Sequence, residues 1–148
     1  MTGDAPGLRL PATTASVVEL ARRVGELGGE LGLTGPQTHR LRLAAEEIAM
    51  NAVMHGYGSD PRCAPGADLA LEWGGDDRRA WVRVVDRAPE FDPTRVRTPD
   101  DLAAPLDDRS PGGLGIHLVR SSLDEFAYER RDGTNRTTLG IARTRGTG

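Results

Sequence analysis

The sequence predicts an α+β fold: a two-layer α/β sandwich with a mixed, mostly antiparallel sheet covered on one face by helices. Three observations carry the expectation. Apolar residues recur at helical spacing through the first third of the chain. Strand-like runs separated by turn signals fill much of the rest. The order is helices first and strands afterwards, interrupted by one long irregular stretch and one short helix, which suits an α+β arrangement. The 148 residues are expected to form a single domain, since they suffice for a sheet backed by helices but are short for two full domains.

In chain order, Leu8 and Leu10 alternate across Gly7 to Pro11, a short edge strand. A helix follows with Thr13 or Thr14 as N-cap, because Val17, Leu20, Ala21, Val24 and Leu27 recur on one helical face; Gly28-Gly29 and Gly32 weaken its end. Gly35-Pro36 breaks the chain, and Pro36 suits the first turn of a second helix reaching about Tyr57. Gly56, Gly58, Pro61, Pro65 and Gly66 mark a loop. Ala67 to Trp73 and Arg79 to Asp86 read as strands joined across Gly74-Gly75-Asp76-Asp77, and Trp81 to Val85 is the most strand-like run in the chain.

Residues 87 to about 111 carry five prolines and little periodicity. That stretch is long for a passive connection and reads as a functional lid. Gly112-Gly113-Leu114-Gly115 then opens a short helix containing Ile116, Leu118 and Val119. Two last strands, Glu125 to Arg130 and Arg136 to Ala142, flank the turn Asp132-Gly133-Thr134-Asn135.

Composition narrows the function. Hydrophobic residues make up 37% and charged residues 28%, the balance of a globular rather than a disordered chain. A net charge of -3 argues against a general nucleic-acid binder, which needs a basic face. All 19 basic residues are arginine, a bias that codon usage in a GC-rich genome explains better than recognition does. Cys63 stands alone, so an internal disulfide and a cysteine-based zinc site are excluded. No apolar run approaches the about 18 residues that span a bilayer, and the N-terminus has no secretory pattern. The cytoplasm is the expected location, without membrane contact.

Chemistry concentrates in three places. Glu47, Asn51 and His55 lie along one stripe of the second helix, at i, i+4 and i+8, between apolar flanks. A carboxylate there needs a cation, a donor or a ligand, because burying it alone costs several kcal/mol. With an amide oxygen one turn away it suits a Mg²⁺ site, with Glu47 able to orient water or accept a hydroxyl proton. A hydrogen-bonded pair on a solvated face is the competing account. Asp86 ends the strongest strand, where it can accept a hydrogen bond from an exocyclic amine or cap a turn; Phe91 can pack under a base or fill the core. Gly113 and Gly115 let backbone N–H groups approach an anion at a helix N-terminus, or make a tight turn. The P-loop and dinucleotide fingerprints are both absent.

These motifs, in this order, resemble one family. Glu47-Ile-Ala-Met-Asn51-Ala-Val-Met-His55-Gly-Tyr looks like the N-box of the GHKL (histidine-kinase-like) ATPases, in the form seen in anti-sigma-factor serine kinases. Asp86-Arg-Ala-Pro-Glu-Phe-Asp-Pro resembles their first glycine box, Gly112 to Arg120 their second, and Asn135-Arg-Thr-Thr138-Leu their closing strand. The similarity runs from about residue 10 to 142. It implies a Bergerat ATP-binding fold using ATP and Mg²⁺, with Glu47 as general base, Asn51 as Mg²⁺ ligand and Asp86 on the adenine amine. Ala88 would lie against the base, Gly113 and Gly115 around the phosphates, Thr138 on the adenine side, and Arg109 in the lid near the γ-phosphate.

The implied reaction is phosphoryl transfer to a serine or threonine of an anti-anti-sigma (STAS) protein by a kinase that also binds a sigma factor and forms a homodimer. The first box departs from Asp-x-Gly-x-Gly: Ala88 and Glu90 replace the glycines. Ala88 fits if its φ is negative, and Glu90 sets a charge near the pocket mouth. Those replacements favour the alternative, a regulatory module whose ATP tunes partner binding without phosphoryl transfer.

Overall fold

Helix α1 spans Thr14–Glu30, and its apolar stripe is buried as the periodicity requires: Val17, Leu20, Val24 and Leu27 are fully buried. Thr13 is the N-cap, its hydroxyl accepting from the Ser16 amide at 3.1 Å. The glycines at 28 and 29 do not end the helix. Gly28 instead permits a close helix–helix approach, because a Cβ there would sit 2.1 Å from the Thr38 hydroxyl.

Helix α2 spans Gly35–Asn51, with Pro36 in its first turn. A reciprocal capping box closes its start: the Thr34 hydroxyl accepts from the Gln37 amide at 3.2 Å, and the Gln37 side chain accepts from the Thr34 amide at 3.0 Å. The chain stays helical to Ser59 but changes pitch, with a π-helical turn at Ala52–Gly56 and a 3-10 turn at Tyr57–Ser59. Widened turns of this kind recur at functional sites, and this one begins immediately after Asn51. The Tyr57 hydroxyl then donates to the Asp68 carbonyl at 2.6 Å and accepts from the Arg87 amide at 2.7 Å.

The computed structural model describes residues 7–59, 67–95 and 113–143. Within them lie five strands: β1 (Gly7–Pro11), β2 (Asp68–Gly75), β3 (Arg79–Asp86), β4 (Glu125–Arg131) and β5 (Thr134–Ala142). Helix α3 (Gly113–Ser122) precedes β4. The sheet order is β1-β2-β3-β5-β4, and every pairing among the described strands is antiparallel. The fold is therefore α+β as expected.

The β4–β5 turn is tighter than the sequence suggests. Asp132 (φ 52°) and Gly133 (φ 77°) are both left-handed, the geometry of a two-residue primed hairpin. Strand β5 consequently begins at Thr134 rather than Arg136, and Asn135 belongs to the strand.

Alternation along the strands places Leu69, Leu71, Val82, Val84, Leu139 and Ile141 on one face. There they form one core with the apolar stripes of α1 and α2. The opposite face is polar: Glu72 accepts from Arg83 and Arg136, each at 3.0 Å, and the Arg83 guanidinium lies 4.7 Å over the Trp81 ring. None of the described helices is long and apolar enough to cross a membrane.

Leu41 of α2 is fully buried in this core. Leu41→Ala is expected to destabilise the protein by about 2–5 kcal/mol, read from urea denaturation as a lower midpoint at unchanged slope. A loss within about 0.5 kcal/mol, as at a surface site, would contradict the packing of α2 on the sheet.

Candidate functional site

A cavity of about 310 Å³ opens between the end of α2, the end of β3 and the loop that follows it. Asn51, His55, Asp86, Ala88 and Phe91 are among the residues that line it. The volume lies at the small end of ligand sites. Two motifs far apart in sequence thus share one wall because α2 is laid across the C-terminal end of β3.

Asn51 is buried, and its Nδ2 has no hydrogen-bond partner. Among the described residues it is the one buried side-chain polar atom left in that condition. Leaving a buried polar group unmet costs about 1–3 kcal/mol. An unmet donor at this position can be completed by a ligand in the cavity.

Asp86 is also buried, at the last position of β3. Its Oδ1 accepts from Asn135 Nδ2 at 2.8 Å and from the Ala88 amide at 3.0 Å. Burial pushes its carboxyl above the ordinary range, while those two hydrogen bonds and the charge of Arg130 pull it back.

Glu47 sits one turn before Asn51 and faces α3 rather than the cavity wall. A Cβ on Gly115 would lie 2.1 Å from Glu47 Oε1, so glycine leaves the carboxylate room to rest here. The positive end of α3, opening at Gly113, is thereby set beside α2. Burial raises the Glu47 carboxyl; His55 opposes the shift and Glu46 adds to it. His55, placed by the sequence on one stripe with Glu47 and Asn51, lines the cavity.

The chain was compared with known proteins against this geometry. Residues 10–141 match the model of the histidine kinase-like ATPase domain. The chain belongs to that family. Its residues are 36% identical over 101 positions to serine/threonine-protein kinase BtrW of Bordetella bronchiseptica, covering 67% of this chain and 66% of that protein. They are 25% identical over 129 positions to serine-protein kinase RsbW of Bacillus subtilis, covering 85% of this chain and 78% of that protein. The crystal structure of the RsbU and RsbW domains of a Mycobacterium tuberculosis protein superposes with a TM-score of 0.56 at 21% identity, over 92% of this chain and 32% of that one. That likeness establishes a shared fold.

For a histidine kinase-like ATPase domain, the first glycine box is unusual, and the structure accommodates it. Ala88 is buried, and Asp132 is the one non-glycine with positive φ among the described residues, so Ala88 needs no left-handed backbone. Its methyl fits because Gly56 faces it; a Cβ on Gly56 would lie 2.8 Å from the Ala88 Cβ. Glu90 is exposed on the cavity rim and Phe91, 41% exposed, lines the cavity instead of filling the core.

Thr138 does not reach the cavity of this ATPase domain. Strand alternation turns it to the open face, where its hydroxyl accepts from Arg83 Nε at 3.0 Å. Thr137, one residue earlier, is buried and lines the cavity in its place. Thr137 and Asn135 are among the wall residues that the sequence reading did not assign to the site; the register Asp86↔Asn135 and Val84↔Thr137 would have found them, but a register is not visible in one strand's sequence. Arg109 and most of the lid fall in residues 96–112, outside the described residues, as does Gly112.

The raised Glu47 carboxyl has a consequence for stability. A carboxyl whose folded pKa exceeds its unfolded value binds protons on folding, so its burial costs stability as pH rises through that window. Glu47→Gln, which removes the charge and keeps the shape, should raise the melting temperature at pH 7. The gain should shrink as pH falls toward 4, measured by calorimetry across the range. A gain that stays constant with pH would mean Glu47 is not held in a desolvated position.

Proposed function

We propose that the chain is an ATP-dependent serine/threonine-protein kinase of the anti-sigma-factor type. In this reading residues about 10–142 act as one cytoplasmic ATPase domain. It phosphorylates a serine or threonine on an anti-anti-sigma STAS-domain protein and sequesters a sigma factor. The observation that carries the proposal is the unpartnered buried amide of Asn51, lining the same cavity as the Asp86 carboxylate. A buried polar group without a protein partner is rare and marks a place that a ligand, an ion or water can complete.

The donor set fits nucleotide with Mg²⁺. Among the described residues no three acidic, histidine or cysteine side chains cluster to hold a metal. Mg²⁺ usually takes few protein ligands, with phosphates and waters supplying the rest. ATP and Mg²⁺ would supply the phosphoryl group and the neutralisation of its charge.

This chain's residues divide the remaining work. Asp86 accepts the exocyclic amine of adenine at the closed end of the cavity. Ala88 lies against the base, and Thr137 rather than Thr138 supports that side. Asn51 presents Oδ1 to Mg²⁺. The N-terminus of α3, with Gly113 and Gly115, would hold the phosphates, and the family resemblance gives Arg109 the γ-phosphate. Glu47, whose carboxyl is raised toward the working pH, takes the proton of the acceptor hydroxyl. Its place beside Gly115 sets base and phosphate site side by side, so catalysis is chiefly positioning.

The test is transfer of labelled phosphate from Mg-ATP to a panel of STAS proteins. Glu47→Ala should cut labelling at least about 100-fold, the lower range for a lost general base, while ATP affinity by calorimetry changes less than about threefold. Labelling that survives Glu47→Ala removes the base from the mechanism. ATP binding without labelling of any partner favours a module whose nucleotide only tunes partner binding, and no ATP binding sinks both readings.

A further inference from the structure

The Asn135 side chain makes six hydrogen-bond contacts at the wall of the cavity. Its Nδ2 reaches Asp86 Oδ1 at 2.8 Å, the Ala88 carbonyl at 3.1 Å and the Pro89 carbonyl at 3.1 Å. Its Oδ1 accepts from the Phe91 amide at 3.3 Å, the Tyr128 hydroxyl at 2.5 Å and Arg130 Nη1 at 3.0 Å. Arg130 also donates to the Ala88 carbonyl at 2.8 Å, closing the ring of contacts. The side chain is 4% exposed.

We infer that Asn135 is a positioning residue for base recognition: one amide holds the Asp86 carboxylate and the Ala88–Phe91 wall in the geometry that receives an exocyclic amine. The inference rests on the nucleotide-binding reading above and deepens it. The chemistry selects an amide. One end shares its two hydrogens among a carboxylate and two carbonyls, and the other accepts from donors on three sides; among side chains of this size only a carboxamide both gives and accepts in this way. Aspartate would set a second carboxylate against Asp86, and a hydroxyl would offer a single hydrogen.

The need arises from the loop itself. With Ala88 and Glu90 where the family motif has glycines, the backbone is shaped by outside contacts that Asn135 provides. Both bonds described on Asp86 fall on Oδ1, so the carboxylate cannot rotate without breaking them, and Oδ2 is the oxygen that remains for a ligand. A group held in its bound orientation beforehand loses less freedom on binding.

The experiment compares ATP with inosine triphosphate, which carries a carbonyl oxygen where adenine has its amine, by calorimetry on the full chain. The wild type should prefer ATP. Asn135→Ala should weaken ATP about tenfold, the scale of one oriented hydrogen bond to a charged group, and leave inosine triphosphate within about twofold, so the preference falls toward one. Tyr128→Phe, which removes one donor to Oδ1 at the half-buried edge, should lose about threefold of the same preference.

A purely structural role would weaken both nucleotides in parallel, and that result overturns the inference. If Asn135→Ala lacks a cooperative melt, Tyr128→Phe decides: an unchanged preference overturns it. ATP binding by the wild type with no change of preference in either variant removes only the role of Asn135. Failure of the wild type to bind ATP removes the functional reading as well.

Discussion

Burying the Asp86 carboxylate at the end of β3 costs several kcal/mol unless donors meet it, and the surrounding structure supplies them from two directions. The loop that leaves β3 turns back so that the Ala88 amide points at Oδ1, and β5 brings Asn135 to the same oxygen. Each of those arrangements needs others. The loop is held by Asn135, Arg130 and the Tyr57 hydroxyl, and Asn135 is directly opposite Asp86 only because β3 and β5 pair in one register. The raised carboxyl of Asp86 is the cost that remains after these donors are counted. Stability is being spent at a place where binding can recover it, as sites of perturbed titration commonly show.

The second wall of the site depends on close approach. Helix α2 is approached by α1 through Gly28, where a methyl group would strike the short Thr38 side chain, and by α3 through Gly115, where a methyl group would displace the Glu47 carboxylate. Gly115 sets the start of α3 against Glu47, and Gly56 leaves room for the methyl that Ala88 introduces. The change of pitch after Asn51 ends the regular helix at the residue whose amide is left unmet. Carboxylate, amide and helix terminus therefore come together through backbone proximity, with side chains kept small at each crossing. Substitution of alanine for glycine in the first box is compensated across the cavity, by the glycine on α2's extension.

Much of this was legible in the residues alone. The stripe Val17-Leu20-Val24-Leu27 announced α1, Gly35-Pro36 marked the start of α2, and Arg79 to Asp86 was a strand from end to end. Glu47, Asn51 and Asp86 stood out because a carboxylate or amide among apolar neighbours demands a partner. The misreadings have a common cause. Asp132-Gly133 forms a two-residue turn where a four-residue one was expected, so Asn135 was assigned to a loop. Thr138 was placed on the adenine side, although one residue of strand alternation turns it to the open face beside Arg83.

Sequence periodicity and local chemistry by themselves determined the α+β class, the order of helices and strands, and which polar residues were too costly to bury without a purpose. These are local properties: they depend on spacing along one segment and on the side chain's own solvation. Tertiary structure alone decided which of those residues meet. The cavity pairs Asn51 with Asp86, Glu47 belongs with Gly115, and Thr137 and Asn135 complete the wall, because register, helix crossing and turn type are set by contacts between segments far apart in the chain. No single segment carries the information that another will lie opposite it.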